Sequence, residues 1–102
     1  MAVTSEISPD GTKLTIAIKG RFDFAKHQDF RAAYEGNTHK PASSVVVDLK
    51  DTTYVDSSAL GMLLLLRDHA GGDDADIRVI NSNSDVRKIL AISNFDKLFD
   101  IS

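Results

Sequence analysis

Val45-Val46-Val47-Asp48-Leu49-Lys50-Asp51-Thr52-Thr53-Tyr54-Val55-Asp56-Ser57-Ser58-Ala59-Leu60-Gly61-Met62-Leu63-Leu64-Leu65-Leu66 is the stretch on which the fold turns. The β-branched run Val45–Val47, continued by Leu49, predicts a central strand covered on both faces. A polar passage, Lys50–Thr53, leads to Tyr54 and Val55. Asp56 or Ser57 then caps a helix from about Ser58 to His69, which Ala70-Gly71-Gly72 stops. Ala59, Leu60 and Met62–Leu66 are apolar on nearly every side, which predicts deep packing. Gly61, costly inside a helix, reads as a point of close approach to the sheet.

Outward from there, the same logic gives the other elements. Val3–Ser8 and the alternating Leu14, Ile16, Ile18 form two strands joined by the turn Pro9-Asp10-Gly11-Thr12. Asp23 caps a helix to about Glu35 with Phe24, His27, Phe30 and Tyr34 as its inward stripe, and Gly36 and Asn37 can end it. Thr38–Ser44 is a polar loop. Ile77, Val79 and Ile80 make a further buried strand. Ser84 or Asn83 caps a third helix, with Val86, Ile89 and Leu90 inward and Ser93-Asn94 at its end. Phe95, Leu98, Phe99 and Ile101 close the core through a short turn and a last strand. The order is ββαβαβα plus a short C-terminal strand, an α/β domain with a mixed, mostly parallel sheet and helices mainly on one face.

The chain has 102 residues, enough for one domain over 1–102. A net charge of -3 argues against nucleic-acid binding. With no cysteine, disulfides and thiolate chemistry are absent and packing must supply the stability. Met1–Ser8 has no signal-peptide pattern, and the apolar run at Leu60–Leu66 is too short to span a bilayer. A cytoplasmic location, without membrane insertion, is the expectation.

Ser57 and Ser58 open a helix, beside unpaired backbone N–H groups and the positive end of its dipole. A hydroxyl there can cap the helix, or carry a phosphate that the helix start tolerates. The residues alone leave both open. The string Asp48 to Gly61, however, closely resembles the signature of the STAS family, in which a strand ending in an acidic residue leads to Asp-Ser-Ser-Gly/Ala-Leu-Gly at a helix start. Gly20-Arg21-Phe22-Asp23 resembles the family's Gly-x-Leu-Asp segment, and Val86–Phe95 its third helix and exit. Ala59 stands where glycine is more usual. Many relatives continue into a further helix where this chain stops at Ser102.

The resemblance is to STAS proteins of the anti-sigma-factor antagonist type, and it implies a mechanism. The second serine, Ser58 (alternatively Ser57), would be phosphorylated by an anti-sigma factor that is a serine kinase of ATPase fold. A metal-dependent serine phosphatase would reverse this. The unmodified form would bind the anti-sigma factor and free the sigma factor; the phosphorylated form would release it. Asp23, Asp56, Ser57, Ser58 and Ala59 would form the partner surface of a protein that is a monomer or weak dimer and no enzyme. The same module could serve a partner switch with a non-sigma target, or be a subunit of a lipid-transport complex. A Ser–His–Asp hydrolase lacks a Gly-x-Ser-x-Gly elbow, and His27, His39 and His69 have no metal-ligand spacing, so no catalytic, metal or cofactor site is expected. Asp73, Asp74 and Asp76 read as a solvated turn, and Arg67, Asp68 and His69 as solvated residues. Phosphate at a helix start should leave the fold intact and act at the interface, where an unpaired buried charge costs several kcal/mol.

Overall fold

The computed structural model describes residues 2–35 and 44–102; the expected helix end at Gly36-Asn37, most of the Thr38–Ser44 loop and His39 lie outside them. Strands β1 (Val3–Ile7) and β2 (Lys13–Ile18) form the expected hairpin. Its turn is closed by Asp10, whose Oδ1 accepts from the Ser8 hydroxyl at 2.6 Å, the Thr12 hydroxyl at 2.8 Å and the Thr12 N–H at 3.1 Å. Gly11, at φ 77°, takes the left-handed position.

Those hydrogen bonds, the Ser8 hydroxyl foremost, pull the Asp10 carboxyl from its ordinary 3.8 to about 2. A depressed folded-state value means that the turn is strengthened above the unfolded pKa and loses that support as pH falls through about 2. An NMR titration of the Asp10 carboxyl carbon should have its midpoint near 2. A midpoint at the ordinary value would show that the turn is open in solution.

Beyond the hairpin the sheet is parallel: β2 pairs with β4 (Ser44–Asp48), β4 with β6 (Ile77–Ile80), and β6 with β7 (Asp100–Ile101), in the order β1-β2-β4-β6-β7. Among the described residues three α-helices accompany it: α1 (His27–Glu35), α2 (Ser57–His69) and α3 (Ser84–Ile92). Asn83 caps α3 through its side chain, and Asn94 leaves it at φ 61°. Phe95 and Phe99, stacked 5.5 Å apart, close the core before β7.

One face of the sheet makes the core. Leu14, Ile16, Ile18, Val45, Val47, Leu49, Ile77 and Val79 meet Phe30, Tyr34, Leu63, Leu66, Val86 and Leu90 of the helices. Val46 is buried together with Val45 and Val47, so β4 is covered on both faces, as the valine run predicts. Val46 lies outside that cluster, flanked on the helix-free face by Thr15 and Arg78.

A second sheet was not legible in the sequence. β3 (Gly20–Phe22) pairs in parallel with β5 (Thr52–Val55), which takes in the end of the polar passage together with Tyr54 and Val55. Gly20, at φ 84°, turns the chain out of β2 and donates to the Asp51 carbonyl at 2.9 Å. The buried Thr52 hydroxyl donates to the Ile18 carbonyl at 2.7 Å. The continuations of β2 and β4 therefore leave the main sheet together and remain paired.

Candidate functional site at the end of the small sheet

The β3–β5 pairing brings two acidic caps side by side. Phe22 stands opposite Val55, both buried. The next residue on each strand is an aspartate in extended conformation that starts a helical segment. Asp23 accepts from the Ala25 N–H at 3.1 Å and opens a short 3-10 turn, Phe24–Lys26, that runs into α1. Asp56 accepts from the Ala59 N–H at 3.0 Å and opens α2 one residue earlier than expected, at Ser57. The Asp56 N–H donates to the Phe22 carbonyl at 3.4 Å, which ties the caps together. Removing the Asp56 side chain should cost about 1 kcal/mol through the lost cap. Urea unfolding of Asp56→Ala against Asp56→Asn checks this, because asparagine keeps the capping oxygen; equal losses would refute a capping role.

Of the sequence-predicted residues, Asp23, Asp56, Ser57 and Ser58 are gathered at this corner, with Ser57 exposed and Ser58 half-buried. Ala59 is fully buried, and its N–H is held by Asp56, so it sets the helix start and offers no side-chain surface. Residues that sequence reasoning missed complete the corner. The Arg21 guanidinium lies 4.5 Å from the centre of the Tyr54 ring and 3.5 Å from the Asp23 carboxylate. Arg21 and Tyr54 are cross-strand partners, so the signal that could have found them was the unread strand at Thr52–Val55.

Three further expectations are overturned here. Phe24 is 68% exposed, stacked 5.3 Å from His27, because the 3-10 turn places it off the helical stripe that buries Phe30 and Tyr34. The α2 helix is not packed all round: Leu64 and Leu65 are 41% and 51% exposed, while Ala59, Met62, Leu63 and Leu66 face inward. Gly61 does not approach the sheet. It is exposed, and a Cβ built there would meet nothing within 4 Å, so its cost of about 1 kcal/mol relative to alanine has no origin in the packing of the fold.

Other side chains have local partners. Arg67 is mostly buried rather than solvated, and its Nη2 meets Asp73 of the acidic turn at 3.0 Å. The His69 ring lies 5.0 Å from that of Tyr34. Among the described residues no cluster of three or more His, Cys, Asp or Glu could hold a metal ion, and no helix is long and apolar enough to cross a membrane.

A mixed sheet with its helices on one face, and an Asp-Ser-Ser start to the second helix at the tip of a side sheet, define a class of small α/β domain. Residues 5–100 match the family described as "Mlab, STAS domain", and the chain belongs to the STAS domain family. It is 63% identical, over all of both chains, to a STAS-domain-containing protein of Pseudomonas aeruginosa (strain UCBPP-PA14). Among solved structures it resembles a putative anti-sigma factor antagonist of Thermotoga maritima, with a TM-score of 0.82 and 16% identity over 97% of this chain and 84% of that one. It also resembles the phosphorylated form of the Bacillus cell fate determinant SpoIIAA, with a TM-score of 0.65 and 15% identity over 99% and 91% of the two chains. At these identities the likeness is one of fold.

Proposed function

We propose that the protein is an anti-sigma-factor antagonist switched by phosphorylation of Ser58. In its unmodified form it binds, in the cytoplasm, an anti-sigma factor that is also a serine kinase, and so frees a sigma factor. Phosphorylation ends the binding, and a metal-dependent serine phosphatase restores it. The protein itself acts by binding, as STAS domains in general do.

The observation that carries this reading is the position of Ser58. It is half-buried at the start of α2 beside the Asp56 cap, next to an exposed row of the helix that includes Gly61, Leu64 and Leu65. A hydroxyl so placed is accessible to a kinase, while the surface around it is apolar enough to be covered by a partner. Phosphate would add about -1.5 to -2 charges there. The helix dipole favours such a charge at the start of α2 by roughly 0.3–1 kcal/mol at an exposed position, against repulsion from Asp56 and Asp23. Fold and modification are then compatible, and the charge acts where a partner must desolvate it.

Mass spectrometry of the protein from its own cells tests the reading. Phosphate should be found on Ser58 and be absent in Ser58→Ala, and a pull-down with the unmodified protein should recover an anti-sigma kinase. Phosphate found on Ser57 alone would move the switch by one residue. A folded, abundant protein that is never phosphorylated would instead indicate a constitutive scaffold or transport-complex subunit. Recovery of a kinase that holds no sigma factor would assign the same switch to another target.

A further inference from the structure

The exposed side of α2 carries a row of small, apolar and acidic residues. At 3.6 residues per turn, Ser57, Gly61, Leu64 and Asp68 lie in one line, with Ser58 and Leu65 alongside. Gly61 is a gap in that line, because nothing in the protein lies within 4 Å of its missing side chain. A glycine that weakens its helix and is not needed by its own core gains a purpose if a partner's backbone passes close over it. Interhelical distances are set by the side chains at the crossing point, and a glycine gives the shortest. Leu64 and Leu65, one turn on, offer the apolar contact that such an approach would bury.

Charge selects the occupant. The row is net acidic at both ends: at the start Asp23 and Asp56 stand against one cation, Arg21, 3.5 Å from Asp23, and at the far end stands Asp68, twelve positions after Asp56, about 18 Å along the helix. Arg67, the cation nearest the far end, is turned aside to Asp73. A second copy of this chain laid on the row in either direction would set two net acidic ends against each other, with Arg21 as the one cation between them. We infer that the partner engages this row with an amphipathic helix of its own, apolar in the middle, basic towards both ends, and closest at Gly61. This rests on the reading that the Ser58 end of α2 is the partner surface, and it adds the partner's form and charge pattern. A phosphate on Ser58, beside Gly61, would stand in the path of that helix.

The probe is a synthetic 18-residue helical peptide with leucines on one face and lysines at both ends, titrated into the isotopically labelled full chain and followed by NMR. Its shifts should centre on Gly61, Leu64, Leu65 and Asp68, and it should bind at least tenfold more tightly than the same peptide with glutamate ends. Gly61→Leu should weaken it at least tenfold. Gly61→Ala should raise the melting temperature, since alanine favours the helix and meets no clash, and yet weaken the peptide. Shifts centred elsewhere, equal binding by Gly61→Leu, or no binding at millimolar peptide would overturn the inference. Failure of the switch reading is seen separately, as absence of phosphate on Ser58 in cells, and leaves the peptide result standing.

Discussion

Phe22→Ala should come close to unfolding the protein, whereas Phe24→Ala, two residues on, should leave its stability nearly unchanged. Phe22 is fully buried in β3, with its ring 5.0 Å from that of Phe30 in α1. Truncating a buried phenylalanine costs about 3–5 kcal/mol in lost transfer energy and cavity. A domain of this size has about 5–15 kcal/mol in all. The urea midpoint should fall steeply, and the melting temperature by more than ~10 °C. Phe24 is 68% exposed, and a surface substitution of this kind stays within about 0.5 kcal/mol. Function should follow, because the Phe22 carbonyl accepts from Asp56 and helps to align the start of α2. Equal effects of the two substitutions would mean that the 3-10 turn is wrongly placed and that Phe24 belongs to the core after all.

Ser58→Asp should abolish partner binding while the domain stays folded. The substitution adds one negative charge at the second residue of α2, where the dipole accepts it and where Asp56 already holds the Ala59 N–H. Its thermal midpoint should therefore change by only a few degrees. On binding, the carboxylate would have to be desolvated beside a partner suited to a neutral hydroxyl. A loss of ~100-fold in affinity, about 2.8 kcal/mol, is the expected scale. Ser58→Ala should bind as the unmodified protein does and should resist the kinase. Calorimetry of each variant with the purified partner separates the two effects. If Ser58→Asp unfolds, or binds as well as the wild type, the charge does not act at the interface and the switch as proposed is wrong.

Much of this architecture could be read from local pattern. Alternation in Leu14–Ile18, the valine run at Val45–Val47 and the apolar spacing in Val86–Leu90 each report a strand or helix, because each reflects contacts that repeat every two or 3.6 residues. The caps were legible for a related reason. Asp23, Asp56 and Asn83 bond to N–H groups two or three residues away, so the physics is contained in a few consecutive residues. The start of α2, and with it the placement of Ser57 and Ser58 at a helix N-terminus, followed from sequence alone.

The tertiary structure alone decided what lies opposite each element. Gly20–Phe22 and Thr52–Val55 are too short and irregular to announce themselves as strands. Their hydrogen bonds join residues more than thirty positions apart, and no local pattern records such a pairing. It is this pairing that sets Asp23 beside Asp56 and Arg21 on Tyr54. The same holds for exposure. A helix rich in leucine has no single polar side, so the sides that Leu63 and Leu66 or Leu64 and Leu65 present depend on where the sheet stands. Composition therefore determined that α2 would be apolar, but only packing determined which leucines were left outside, beside Gly61 and Ser58.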